Sequence, residues 1–178
     1  MVLPIVLLAG CGAGGPSASP GAPGARASSA STPSATFPDP VAGQSVYDEA
    51  GVLSASVVDQ LEQEIGDVED RSGADIVLYL RVMPGATGDE NLAAARVLMR
   101  QWGVGGDRNA DAFVILISFD ESREHGQLST FAGANVLQSL TTEAQAQLRD
   151  DVMIPAFANQ DISGGIVQGL QFVDDALR

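Results

Sequence analysis

The sequence predicts an α/β fold: a three-layer α/β/α sandwich with a small, mostly parallel central sheet and a short edge strand. The first observation is a pair of apolar segments, DIVLYLRV at 75–82 and AFVILISF at 112–119. Neither alternates with polar residues, which is typical of strands buried on both faces. The second is an amphipathic helix between them, at 89–102, which makes the unit a right-handed βαβ crossover with parallel strands. Segment 112–119 is expected at the centre of the sheet.

The elements before the central strand are predicted from caps and periodicity. Ser54 is a suitable N-cap for a helix that runs to about Arg71, and Gly73 is a natural stop. Apolar residues repeat at helical spacing on one face of this segment, with acidic residues opposite. The helix at 89–102 ends at Gly103 for the same reason.

After the central strand, residues 120–126 are predicted to form a turn and residues 127–132 an edge strand. Thr141 is predicted to cap a helix that reaches about Ile154 and breaks near Pro155. Asp161 is predicted to cap the final helix. In that helix, Gly165 and Gly169 allow a neighbour to approach closely.

Three regions divide the chain. Residues 1–11 combine a short apolar run with LAGC, which resembles a bacterial lipobox and predicts that Cys11 is lipidated. The alternative is a buried apolar N-terminus with an incidental cysteine. Residues 12–40 are mostly Gly, Ala, Ser and Pro and predict a disordered tether, and residues 41–178 form the folded domain. An anchor followed by a tether predicts a protein held on the extracytoplasmic side of a bacterial membrane.

Composition excludes several classes of function. The formal net charge of -14 argues against binding to nucleic acid, or to anionic lipid through a charged face. One cysteine and one histidine exclude an intrachain disulfide, a CxxC metal site and a zinc site built from several Cys or His ligands. No Ser/His/Asp arrangement can be assigned.

The loop GVGGDRNAD at 103–111 carries the most distinctive polar pattern. It lacks the Lys and Ser/Thr of a P-loop, and it follows a helix, the reverse of a Rossmann fingerprint. Asp107, Asn109 and Asp111 have the alternate spacing of calcium-loop ligands. Further oxygen ligands are expected from Asp48, Asp120 or Glu121 if their loops meet at the same edge of the sheet. Ca²⁺ is favoured over Mg²⁺. The alternative is a solvated polar loop.

Asp48 and Asp120 are also candidates for a general acid and base, or for a nucleophile and its partner. Asp120 directly follows the predicted central strand, and α/β folds place polar chemistry at strand ends. Arg123 is the candidate for stabilising negative charge in a reaction. These three residues form the catalytic hypothesis.

Taken together, the motifs resemble the TPM domain family, named after thylakoid-lumen, photosystem-repair and animal membrane proteins. The matching residues are VYDEAGVLS at 46–54, DIVLYLRV, RQWGVG at 100–105, the strand followed by Asp120 and Arg123, and IPAFANQDISGGI at 154–166. The resemblance implies a sandwich fold, divalent-cation binding and, for some members, a phosphatase label. Two turns depart from the family pattern: NADA at 109–112, in place of an Asp-Asn-Gly-like turn, and FAGANVLQSL at 131–140.

The sequence therefore predicts a monomeric, membrane-anchored TPM-type lipoprotein that binds a divalent cation and assists membrane-protein complexes. The alternative is a metal-assisted phosphatase acting on phosphomonoesters, with Asp48, Asp111 and Asp120 around the cation and Arg123 at the phosphoryl oxygens. A third possibility is a purely structural domain without a ligand. The expected partners are the membrane, through the anchor, and a membrane protein.

Overall fold

The structure, a computed structural model, describes residues 36–178, and all of them belong to one compact unit. The predicted signal peptide, the predicted lipidation site at Cys11 and the predicted tether up to residue 35 lie outside the described residues. No helix of residues 36–178 is long and apolar enough to cross a bilayer.

A single four-stranded sheet forms the centre, in the order β1-β2-β3-β4. Its strands are β1 (Val46–Asp48), β2 (Asp75–Val82), β3 (Ala112–Phe119) and β4 (Gly126–Ala132). The first three run parallel and β4 is antiparallel to β3. The predicted mostly parallel sheet with an edge strand is confirmed. The sequence did not indicate β1, which forms the opposite edge.

Helices cover both faces of the sheet. They are α1 (Ala55–Ser72), α2 (Gly88–Trp102), α3 (Thr142–Gln147), α4 (Ile154–Ala158) and α5 (Ile162–Leu177). Short 3₁₀ turns lie at Asp107–Asn109 and Val136–Gln138. Alternate strand residues such as Ile76, Leu78 and Ile115 pack with α1 and α5, whereas Val77, Val114 and Leu116 pack with α2. The result is the predicted three-layer sandwich.

Caps define the helix ends as the sequence predicts. Ser54 caps α1 by accepting from Val57 N–H, and Gly73 ends the helix in the left-handed conformation. Asp161 caps α5 by accepting from Gly164 N–H.

Pro155 does not break the helical path, contrary to the prediction. A π-helical segment, Leu148–Met153, joins α3 to α4, and Pro155 lies in the first turn of α4. Proline lacks an N–H and crowds the carbonyl four residues earlier. A wider turn just before it is compatible with both constraints.

Packing begins before residue 41, where the sequence placed the start of the domain. Phe37 is only 4% exposed. Its ring makes edge contacts with Tyr79 and Trp102, at centroid distances of 5.1 and 6.4 Å. The Trp102 indole N–H donates to the carbonyl of Pro38. Residues 36–40 thus cover the outer end of the α2 layer.

Candidate functional site

The five predicted metal ligands lie at opposite ends of the sheet. Asp48 is the last residue of β1 and Asp120 directly follows β3, so both lie at carboxyl ends of strands, whereas Asp107, Asn109 and Asp111 precede β3. The eight residues of β3 span about 26 Å at roughly 3.3 Å per residue. Ligand oxygens must lie about 2.3–2.6 Å from a calcium ion. The five residues therefore do not form one site, and residues 36–178 contain no group of three or more His, Cys, Asp or Glu side chains arranged for a metal.

Asp48 and Asp120 are also separated from each other. Asp48 is in register with Leu80, which is in register with Ile117, three residues before Asp120. Two strand spacings across the sheet and three residues along it place the two backbones about 14 Å apart. That distance does not suit a shared cation or a directly acting acid and base.

The Asp48 carboxylate holds the turn that leads into α1. Its two oxygens accept hydrogen bonds from the backbone N–H groups of Val52 and Leu53, at 3.3 and 2.7 Å. Hydrogen bonds of this kind fix a loop by satisfying N–H groups that no strand or helix uses. The structure thus gives Asp48 a local structural role.

Asp120 lies in an exposed turn together with Arg123, a second catalytic candidate. Its carboxylate accepts from the Ser122 hydroxyl at 2.7 Å and lies 3.6 Å from His125 Nδ1. The hydrogen bond from Ser122 holds the pKa of Asp120 below its ordinary value. Arg123 occupies the left-handed region in the same turn, at φ 62°. This turn brings a carboxylate, a guanidinium and an imidazole into one exposed segment.

At the other end of the sheet, the Asn109 side chain connects the loop at 103–111 to the end of α2. Asn109 has φ 52°, and its side-chain amide donates to the carbonyls of Met99 and Val104, at 3.0 and 2.6 Å. Asp111 accepts from the side-chain amide of Asn135 at 2.7 Å. The two turns that depart from the TPM pattern, around Asn109 and Asn135, therefore lie against each other.

A buried polar network connects α2 to β3 and β4, and sequence analysis missed it. The Asn91 side-chain amide, in a residue with no exposed surface, lies 3.0 to 3.1 Å from Leu116 O, Gln127 O and Ser129 Oγ. The Ser118 hydroxyl donates to Asn91 Oδ1 at 2.6 Å and accepts from Arg81 Nε at 2.9 Å. Ser118, a polar residue inside an otherwise apolar strand, was the available signal.

Burial governs the ionisable groups beside this network. It is the main cause of the raised pKa of Tyr79, with a further contribution from a hydrogen bond with Glu49. Burial also lowers the pKa of Arg81, whose guanidinium carbon lies 5.1 Å from the centroid of the Phe37 ring. Both groups lie within packed structure, which identifies them as structural residues.

The groove beside β4, here called the β4 groove, is an opening of about 500 Å³. Five consecutive β4 residues, 128–132, form its floor. Gly88, Leu92 and Arg96 of α2 stand on one side. Leu137, Thr142, Gln145 and Arg149 stand on the other.

A second groove, of about 540 Å³, lies at the carboxyl end of β3. Phe119, Ile154, Phe157 and Ile162 supply apolar surface, and Arg123 and His125 stand at its border. Ile154 is 46% exposed. The candidate catalytic turn therefore borders an apolar surface.

A comparison with protein-family models identifies one family. The family model described as the TPM domain matches residues 46–176. No curated protein matches the chain at a significant level.

Several solved structures share the fold. The N-terminal domain of a P. gingivalis protein is 21% identical, with a TM-score of 0.60 over 76% of this chain and 82% of that one. The N-terminal domain of cg2496 from Corynebacterium glutamicum is 14% identical, with a TM-score of 0.55 over 81% and 86%. The BA42 protein of the psychrophilic bacterium Bizionia argentinensis is 13% identical, with a TM-score of 0.52 over 70% and 81%. At these identities the likeness establishes the fold alone.

Proposed function

The chain belongs to the TPM domain family, and on this premise we propose that it is a lipid-anchored accessory domain that binds membrane proteins outside the cytoplasm. One observation carries the proposal. The predicted catalytic acids lie apart, and Asp48 holds its own turn, while the β4 groove stays open beside an unpaired strand edge. Such an arrangement suits binding better than turnover.

The anchor in this proposal is Cys11. Its support is the LAGC sequence at 8–11 and the Gly/Ala/Ser/Pro segment that follows. Acyl chains on the cysteine hold a protein at a bilayer without a spanning helix. We expect Cys11→Ser to release the chain from membranes into the soluble fraction. Retention equal to the parent chain contradicts lipidation.

The test of the accessory function is chemical cross-linking of the full chain in its native membranes. We expect a discrete adduct with a membrane protein, and the same adduct with Asp120→Asn. We also expect phosphate release from p-nitrophenyl phosphate to stay at background with Ca²⁺ or Mg²⁺. Absence of any adduct, or metal-dependent turnover above background, contradicts the proposal.

Cation binding is a second part of the proposal, restricted to the loop before β3. Asp107 and Asp111 supply carboxylates at the same end of the sheet, although Asn135 already engages one Asp111 oxygen. Two carboxylates leave most of the six to eight calcium ligands to water, so we expect affinity of about 10⁻⁴–10⁻³ M. Calcium titration should shift the amide signals of residues 107–111 and leave Asp48 and Asp120 unchanged. If calcium instead shifts the amide signals of Asp48 and Asp120 to saturation, the placement in the loop before β3 is excluded.

The alternative function is a metal-assisted phosphatase. The observation in its favour is the turn that combines an ionised Asp120, Arg123 and His125. In that case, Asp120→Asn should abolish hydrolysis while the circular dichroism spectrum stays unchanged. Equal activity in this variant excludes Asp120 from the chemistry.

A further inference from the structure

The outer edge of β4 offers a row of backbone groups to a partner. Hydrogen bonds from Gly133 N–H to Ala112 O and from Asp120 N–H to His125 O fix the alternation of the β3–β4 ladder. By this alternation, the odd-numbered residues of β4 direct their N–H and C=O groups to β3. The even-numbered residues Leu128, Thr130 and Ala132 direct theirs away from the sheet. Among the described residues these outward groups have no backbone partner.

Helices on both sides of the edge restrict what can reach it. Ser129, Thr130 and Ala132 are 6%, 5% and 8% exposed, so the edge lies at the base of the β4 groove. Residues 128–132 extend for about 17 Å at 3.4 Å per residue. An extended chain fits along this floor, whereas a helix, at about 10 Å in diameter, is too wide to approach the backbone.

The charges of the β4 groove are opposite to those of the protein as a whole. The formal net charge is -14, yet the groove lining includes Arg96 and Arg149 and no Asp or Glu. Arg96 lies over the Phe131 ring, 5.1 Å from its centroid, and Arg149 donates to the Thr130 hydroxyl at 3.0 Å. Neither arginine forms a salt bridge with a described residue. The groove therefore complements an acidic ligand.

We propose that an extended, acidic segment of a partner protein adds to β4 as a fifth strand, with its carboxylates paired to Arg96 and Arg149. This inference rests on the accessory function proposed above and names the chemistry of the partner. Arg96 contacts Phe131 on the α2 side of the sheet, and Arg149 contacts Thr130 on the opposite side. Successive residues of a strand face opposite sides. Two consecutive acidic residues therefore reach both arginines.

The N-terminal segment does not supply this ligand. Residues 1–35 contain no Asp or Glu and carry Arg26 as their only charge. A second copy that paired through its own β4 would bring four arginines of like charge together, which is unfavourable. Charge complementarity thus selects a different protein as the occupant.

The first test uses a capped peptide of alternating threonine and valine with Asp-Glu at its centre, titrated into the full chain in detergent. We expect saturable binding that Arg96→Gln combined with Arg149→Gln weakens by about tenfold or more, because two charge-assisted contacts are lost. Arg100→Gln is the matched control, since Arg100 lies one turn further along α2 and outside the groove lining. We expect it to change the affinity by at most about twofold. A peptide with Asn-Gln in place of Asp-Glu should bind the parent chain as weakly as the acidic peptide binds the double variant.

The second test examines the backbone pairing. Two isomers of the peptide carry N-methyl groups on alternate residues, one set facing β4 and the other facing away. We expect only the first isomer to lose binding, because its donors to Leu128, Thr130 and Ala132 are blocked. Amide shifts confined to residues 126–133 support the placement. Equal binding of the two isomers overturns the placement in the β4 groove. Amide shifts confined to the second groove, which Ile154 and Phe157 line, also overturn it.

A photo-reactive residue at Leu137, which is 40% exposed and lines the β4 groove, extends the test to membranes. Val82 is 38% exposed, lies outside the groove and serves as the control. We expect a position-137 adduct whose peptide maps to an acidic segment of another protein. An adduct with residues 12–35, or with a second copy, contradicts the inference. If the chemical cross-linking test succeeds while the acidic peptide fails, the groove assignment fails and the accessory function stands.

Discussion

Removing the Asn91 side chain tests the buried polar network directly. Asn91→Ala leaves the Ser118 hydroxyl without its acceptor and Ser129 Oγ without its donor, whereas Leu116 O and Gln127 O keep their bonds within the sheet. One stranded buried donor costs about 1–3 kcal/mol. The small cavity left by the amide adds about 1 kcal/mol. The expected loss is about 3 kcal/mol of unfolding free energy.

Thermal unfolding followed by circular dichroism measures this loss. At roughly 2.1 cal/mol/K per residue, residues 36–178 have an unfolding entropy of about 0.3 kcal/mol/K. The midpoint of Asn91→Ala should therefore fall by about 10 °C. Gln168→Ala removes an exposed amide from α5 and should shift the free energy by less than about 0.5 kcal/mol.

A double-mutant cycle with Ser118→Ala separates the network from simple loss of volume. Once Ser118 has no hydroxyl, Asn91→Ala strands no donor there, so the two losses should sum to more than the loss of the double variant. The expected coupling is about 1 kcal/mol or more. Strict additivity, or a midpoint for Asn91→Ala within about 2 °C of the parent, refutes the reasoning.

The remaining predictions concern two backbone positions and one carboxylate. Gly105→Ala should cost about 3 kcal/mol or more in urea unfolding, because Gly105 has φ 77° and an added Cβ would lie 2.2 Å from Ala112 N. At Gly66 nothing lies within 4 Å of an added Cβ, so Gly66→Ala should instead stabilise α1 by about 0.5–1 kcal/mol. A lower unfolding free energy for Gly66→Ala than for Gly105→Ala contradicts both predictions. Burial raises the pKa of Glu69 above its ordinary value of 4.5, so the folded state favours the protonated carboxyl. The contribution of this protonated group to the free energy of unfolding is complete below the unfolded pKa and is lost as pH rises through the folded pKa. Glu69→Gln should therefore raise the unfolding free energy at neutral pH and lose that gain in acid, and a gain that does not change with pH contradicts the assignment.

Sequence patterns predicted the elements that depend on local rules. The strands at 75–82 and 112–119 match β2 and β3 because both are short apolar runs rich in Val and Ile and lie next to glycine-containing loops. The caps at Ser54 and Asp161 also match, since capping depends on a side chain and its nearest backbone groups. The three-residue β1 was missed because its pairing with β2 is not local. The alignment of Asp48 in β1 with Leu80 in β2 becomes apparent only in the assembled sheet.

The candidate site was harder to predict because it depends on which loops share an end of the sheet. Asp107 to Asp111 precede β3 and Asp120 follows it, so the length of this strand separates them. Spacing within a loop carries no information about this separation. Asn91 was missed for a related reason: one amide in a helix is unremarkable until Ser118 and Ser129 are known to face it.

The acidic composition has a structural explanation that also clarifies the groove. Several carboxylates accept backbone N–H groups at the ends of strands and helices: Asp48, Glu62, Glu69, Asp75, Glu90 and Asp161. Each satisfies donors that the adjoining helix or strand leaves unused. Because acidic side chains serve the fold in this way, the negative net charge is not by itself evidence for a cation site. Arg96 and Arg149 line an unpaired strand edge without a carboxylate partner among the described residues, and their positions carry the stronger functional signal.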